Sequence, residues 1–379
     1  MRRTLSRRTF LAAAGTTALA GCLGGGDNTD GASGDQSTAT PTATEGSTTT
    51  ASGTTSGGTN GGPPLAEQQL PLMYDLDTLK EEISSGGVPK DGIPSIDSPT
   101  FISPEKANKF LEDGDIVFGL VHGDGVKAYP QKILVWHEIT NDTIDGTPVS
   151  VTYCPLTGTA MGFYRGDTTF GTSGRLLNNN LVMYDRDTDT WYSQILATGV
   201  KGELTGNSLQ EFRVIWTTWG KWKAAHPDTK VLSKDTGYAR DYNSDPYGSY
   251  NPRRGHYADG STMFPPLVED DRHHPKDIFM GTRSRDGAIA FKKPTVRKQG
   301  LVTGSVGDVQ YLAVHDDTFD TVYVYRNPDE QSFSITDNEV TGPDGQTHAP
   351  DNLPLERVYS FDAMWFSWIG LYPESVVVA

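Results

Sequence analysis

The run Ile116-Val117-Phe118-Gly119-Leu120-Val121-His122-Gly123-Asp124-Gly125-Val126-Lys127-Ala128-Tyr129 sets the character of the fold. Two apolar stretches flank a Gly/Asp turn, the pattern of an antiparallel hairpin. Pro130 then stands where a helix opens, and Ile133, Leu134, His137 and Glu138 recur at helical intervals, so the spacing predicts a short helix over 131–140. Asp145-Gly146 turns the chain into Val149 to Cys154, an alternating strand that Pro155 stops. Further strands are expected over 159–164, 180–184, 191–194, 309–314 and 322–325, and around 332–340. Short helices are expected over 219–226 and 361–372, the second placing Met364, Trp365, Trp368 and Leu371 on one face. Between 240 and 276, Tyr242, Tyr247, Tyr250 and Tyr257 sit among Asn, Asp, Pro, Gly and Arg without periodicity. That is a long loop, of the kind that either carries function or covers a core. No internal repeat is apparent. The expectation is an α+β body, strand-rich, a single globular domain over 66–379 with a few short helices.

The amino terminus reads as an address. Arg2, Arg3 and the run Ser6-Arg7-Arg8-Thr9-Phe10-Leu11 lead into a mild apolar stretch that ends by Gly21. It is shorter than the roughly 18–20 residues that span a bilayer, so 1–21 reads as a twin-arginine signal peptide. Leu19-Ala20-Gly21-Cys22 resembles the lipobox of prokaryotic lipoproteins, which would put a lipid on Cys22 and anchor the mature chain to the outer face of the cytoplasmic membrane. Residues 22–65 are rich in Gly, Ser and Thr and too poor in large apolar groups to offset ordering entropy; they read as a flexible tether. The formal net charge of -16 excludes nucleic acid as a natural partner and describes a surface kept hydrated by carboxylates. Acidity and export together resemble the surface lipoproteins of haloarchaea.

Only Cys22 and Cys154 occur, so a lipidated Cys22 leaves one thiol and no intrachain disulfide. Tyr129-Pro130, Trp136-His137-Glu138-Ile139 with Asn141-Asp142, and Thr152-Tyr153-Cys154-Pro155-Leu156-Thr157-Gly158-Thr159-Ala160 resemble the prokaryotic family called domain of unknown function 3179. So do Phe170-Gly171-Thr172-Ser173-Gly174, Met183-Tyr184-Asp185-Arg186 and the aromatic carboxy-terminal segment, over about 91–373. The resemblance implies no activity. Many members carry a second cysteine where this chain has Thr157, which argues against a dithiol or two-thiolate site here.

Cys154 and His137 are the candidate functional pair. Together they would make a nucleophile and its base, or two ligands for a soft metal such as copper, with Met161 and Met183 as thioether donors. Tyr153, Ser173, Asn178 and Tyr184 are expected to line the same hollow around a small ligand. Asn141 and Asp142 read as turn or capping residues. The alternatives are a thiol-dependent enzyme, or a structural module in which Cys154 is a small buried apolar group. Zincin, calcium-loop, nucleophile-elbow, dinucleotide and Walker patterns are all incomplete in this sequence.

Overall fold

A computed structural model describes residues 61–379. The expected signal peptide, Cys22 and nearly all of the expected tether lie outside the described residues.

The body is mostly β, with six short helices among the described residues. Its framework is built twice. In the first copy, the hairpin Ile116–His122 and Gly125–Pro130 leads through the helix Gln131–Leu134 into a meander of Ile139–Ile144, Thr147–Cys154 and Thr159–Tyr164. The second copy runs Ile278–Ser284, Gly287–Lys292, helix Lys293–Gln299, Leu301–Val306, Val309–Asp316 and Thr321–Asn327. Equivalent residues keep one constant spacing throughout: Gly119 and Gly281, Gly125 and Gly287, Ala128 and Ala290, Thr159 and Thr321.

Each copy closes in the same way. Ile215–Thr218 pairs antiparallel with the first hairpin, the helix Trp219–Ala225 crosses the sheet, and Lys230–Leu232 pairs parallel on the far side. Ser360–Met364, the helix Trp365–Leu371 and Val376–Val378 repeat these moves on the second hairpin. A single hydrogen bond recurs as well: Trp222 Nε1 donates to Thr229 Oγ1 at 3.0 Å, and Trp368 Nε1 to Ser375 Oγ at 2.9 Å. Both indoles are fully buried, each lying flat on a strand glycine. Removing such a side chain from water is worth about 5 kcal/mol, from roughly 200 Å2 at 25 cal/mol per Å2.

The expectation of no internal repeat is therefore overturned. Few identities survive, among them strand glycines, Ile116 with Ile278, a few small residues, the two Trp of each closing helix and the Pro after it, so pairwise matching of side chains hides what the backbone shows. Two helix expectations also shift. The predicted 131–140 helix stops at Leu134, because Glu138 takes a left-handed φ of +58° and Ile139 enters a strand. In the predicted 361–372 helix, the first residues are a strand, Ser360–Met364, hydrogen-bonded to Ile278–Ser284. Sequence pattern assigned nothing between 277 and 308, where the second hairpin and its helix lie.

The copies interlock. Ile215–Thr218 lies against Thr321–Asn327, and reciprocally Ser360–Met364 lies against Thr159–Tyr164. Arg213 bridges them, donating to Val322 O at 2.6 Å, Thr321 Oγ1 at 2.9 Å and Ser360 Oγ at 3.1 Å. Insertions distinguish the copies. The first carries the strands Phe170–Leu177, Asn180–Asp185, Trp191–Ser193 and Thr198–Lys201; the second carries a small sheet over 334–348. The Tyr-rich segment 240–276 connects the two copies and contains a short hairpin, Gly248–Tyr250 with Arg253–Gly255.

Candidate functional site

Cys154 ends the strand Thr147–Cys154, opposite Thr159 across a turn closed by Gly158 at φ +58°. The thiol is 1% exposed, with Sγ 3.6 Å from the carbonyl oxygen of Asn179. Burial, reinforced by the charge of Glu138, pushes the thiol up to about 11. The N–H groups of Leu181 and Thr157 and the Thr157 hydroxyl oppose that shift by favouring the thiolate.

Glu138 is the unusual residue beside it. In the second copy its position is Gly300, which also has positive φ, and both amides close the same turn: Glu138 N donates to Leu134 O and Gly300 N to Val296 O, each at 2.7 Å. A glycine suits that conformation, whereas a side chain costs about 1–2 kcal/mol there. The carboxyl is 7% exposed, accepts no hydrogen bond from any described residue, and is pushed by burial up to about 8. A strained, buried, unbonded acid whose charge acts on a buried thiol is a mark of function more than of packing.

The interrepeat loop supplies the rest. Lys276 is fully buried, with Nζ 3.0 Å from His256 Nε2 and 4.7 Å from the centre of the Phe366 ring. Burial lowers it to about 8, an effect that Asp259 and Cys154 oppose. His256 is held below its ordinary value by burial, so its ring is neutral near pH 7; Nε2 lies 2.8 Å from Leu156 O. The tautomer decides whether it donates there or accepts from Lys276. Tyr247 is raised by burial first and then by Glu138 and Cys154, which places its hydroxyl in the same field. Tyr247 and His256 also line an open cavity of about 280 Å3 with Asp259, Ser261, Thr262 and Met263.

A polar cluster fixes this loop to the first copy. Asp245 accepts from Gln131 Nε2, Tyr257 OH and Tyr247 N, each at 2.8 Å. Tyr153 OH donates to Tyr250 OH at 3.1 Å, and the Tyr250 and Tyr257 rings stack at 3.9 Å. Tyr153 is thus an anchor for the loop that carries Tyr247 and His256.

The other expected site residues have partners of their own. His137 is fully buried, with Nδ1 2.7 Å from Pro94 O and Nε2 2.6 Å from Tyr242 OH. With Nδ1 donating and Nε2 accepting, neither nitrogen is left to serve Cys154; the hairpin brings the two segments alongside, but the side chain that meets the thiol's field is Glu138. Ser173 bonds Val182 O and Arg175 N in a strand irregularity. Asn178 donates to Ser367 O at 3.1 Å and accepts from Leu267 N at 2.9 Å, clamping the last helix. Tyr184 donates to Asp91 at 2.5 Å, under Lys90. Asn141 and Asp142 are structural: Asn141 bonds Phe170 O and Asp97, and Asp142 accepts from Lys127 and Tyr129. Among the described residues no three His, Cys, Asp or Glu side chains converge to hold a metal ion, and both nitrogens of His137, one of the expected copper ligands, are engaged by Pro94 and Tyr242. No helix among them is long and apolar enough to cross a membrane.

Glu138, His256, Lys276 and Tyr247 escaped the sequence reading as site residues. Glu138 was visible only as the neighbour of His137, and the other three come from a loop without periodicity. The signal that singles out Glu138 is its repeat partner Gly300, which requires the duplication to be seen first.

Comparison with curated proteins and with solved structures yields no match. The family model described as "Protein of unknown function (DUF3179)" matches residues 90–375, which include both copies of the framework up to the last strand, the connecting loop and Cys154. The chain belongs to the DUF3179 family.

Proposed function

We propose that this protein is a thiol-dependent group-transfer enzyme, with Cys154 as nucleophile and Glu138 as its base. The observation that carries this reading is the Glu138 carboxyl: strained at φ +58°, buried, unbonded and pushed up to about 8 in the field of a buried thiol. With its acidity near 8, about a tenth of the carboxyl is ionised at pH 7 and more than half above pH 8, so the base form, and with it the attack, should grow as pH rises through 8. In the attacking step the Sγ–H bond breaks, its proton passes to the Glu138 carboxylate, and sulfur bonds to an electrophilic carbon of the substrate. Lys276 then stabilises developing negative charge. The leaving group departs with the electron pair of its bond to that carbon, and the group left on sulfur passes to water or another acceptor. In the empty site the thiol at about 11 and the acid at about 8 keep sulfur protonated, so attack waits for a bound electrophile. The approach is assigned to the cavity that Tyr247 and His256 line; Cys154, 1% exposed, does not itself line it.

p-Nitrophenyl acetate tests the idea. A burst of about one nitrophenolate per chain should appear, vanish in Cys154→Ala and slow by about a hundredfold or more in Glu138→Gln, the usual worth of a general base. A burst that survives Cys154→Ala, or is indifferent to Glu138→Gln, refutes the assignment.

The surface setting belongs to the same proposal, supported by Arg7-Arg8 and by Leu19-Ala20-Gly21-Cys22. Arg7→Lys with Arg8→Lys should block export, and Cys22→Ser should release the mature protein to the medium. Recovery of the Cys22→Ser form wholly with membranes would defeat the lipid anchor.

A further inference from the structure

A second concavity, independent of the thiol, lies where the two copies of the framework face each other. It is a cleft of about 370 Å3 lined by equivalent residues from both: Ile116 with Ile278, and Gly158 with Asp320. That volume falls in the range of small-molecule sites, roughly 300–1,000 Å3. Trp216, Tyr250 and Pro294 complete the apolar wall, and the Trp216 and Tyr250 rings meet edge to face at 5.2 Å.

The polar lining has a definite sign. Lys293 Nζ is 2.8 Å from Asp362, and Arg297 grips Asp320 with Nε at 2.7 Å, so these four charges neutralise in pairs. Arg253 is left over: it donates one Nη2 bond to Lys276 O at 2.8 Å and faces no carboxylate partner among the described residues. Three cations therefore line the cleft against two carboxylates, in a chain whose formal net charge is -16. Thr217, 3% exposed, also lines it, and its hydroxyl has no hydrogen-bond partner. A buried hydroxyl without a partner is costly to leave so.

We infer that this cleft binds a small amphipathic organic anion, a carboxylate or sulfonate on an apolar or aromatic body. The anionic group meets Arg253, which can bind it in a fork, and the body lies between Ile116, Ile278 and Trp216. The placement explains why two non-identical copies meet here. In the second copy Asp320 and Asp362 stand where the first has Gly158 and Trp216, and these carboxylates offset Lys293 and Arg297 while Arg253 comes from the connecting loop.

The test uses 8-anilinonaphthalene-1-sulfonate with the full chain. Its fluorescence should rise saturably with about one dye per chain, and phenylacetate should displace it while the neutral 2-phenylethanol does not. Arg253→Gln, an exposed and so structurally tolerant change, should weaken binding by about tenfold or more, the worth of a charge-assisted bond. Ile278→Trp should abolish it by filling the cleft; near-ultraviolet circular dichroism certifies that each variant is folded. Equal displacement by the acid and the alcohol, or unchanged dye affinity in Arg253→Gln, overturns the inference.

Discussion

Glu138 connects backbone strain, burial and chemistry in one residue. Its carboxyl is raised from an ordinary 4.5 to about 8 by burial, so between those values the folded state holds a proton that the unfolded state has released. Stability from this group is complete below about 4.5 and is lost as pH rises through 8. A tenfold change in a group's acidity on folding corresponds to about 1.4 kcal/mol, so wild type should lose several kcal/mol between pH 5 and 8.5 relative to Glu138→Gln. Urea midpoints of the two proteins across that window measure the difference directly; parallel curves would show that the carboxyl is solvated in solution. Lys276 acts in the opposite sense and later, since its value lowered to about 8 makes its burial less costly as pH climbs from there toward 10.5. Comparing the two proteins below pH 8.5 therefore reports mainly on Glu138.

At the scale of elements, the decisive contacts are between a strand glycine and the indole of the closing helix. A Cβ on Gly281 would stand 2.0 Å from Trp368, and one on Gly119 2.1 Å from Trp222. Neither indole can yield, because each also donates a hydrogen bond that fixes its ring. Gly119→Ala and Gly281→Ala should each cost about 3 kcal/mol, the upper range for overpacking. Pairing Gly281→Ala with Trp368→Leu should cost less than the sum of the single changes, and chemical denaturation of the four proteins closes that cycle. The same logic explains the shifted helix expectations. Tryptophans spaced three apart read as a helix face, but the residues before them are claimed by sheet hydrogen bonds, which periodicity does not register.

For the molecule as a whole, the interlocking strands imply that neither copy is an independent domain. Arg213→Ala should destabilise the entire chain by about 3 kcal/mol or more, because Val322 O and Thr321 Oγ1 in the other copy lose buried donors at once. Its calorimetric transition should remain single; a split into two would mean that the copies fold apart. The amino-terminal boundary follows from the same contacts. Ala66 N bonds Ser208 O, Leu79 is buried, and Ser84–Ser85 pairs with the strand Phe170–Leu177. A chain beginning at residue 61 should melt with the intact protein, whereas one beginning at Asp91 should melt several degrees lower.

What the sequence determined by itself is what short range determines. Alternation around Asp124-Gly125 and Asp145-Gly146 specified the first hairpin and the strand that ends at Cys154, and the family motifs marked that strand as the centre of interest. The Tyr-rich segment was legible as a loop worth watching. Tertiary structure alone decided the partners. His137 turns both ring nitrogens to Pro94 and Tyr242, while its neighbour Glu138, in a left-handed turn, carries the buried charge that raises the thiol. Lys276 and His256 reach the same place from more than a hundred residues away, carried by a loop that Tyr153, Asp245 and Gln131 hold down. The duplication was beyond pairwise reading because a β framework needs backbone geometry and burial, which many side chains satisfy, and few positions, such as the glycines that must admit an indole, demand one identity.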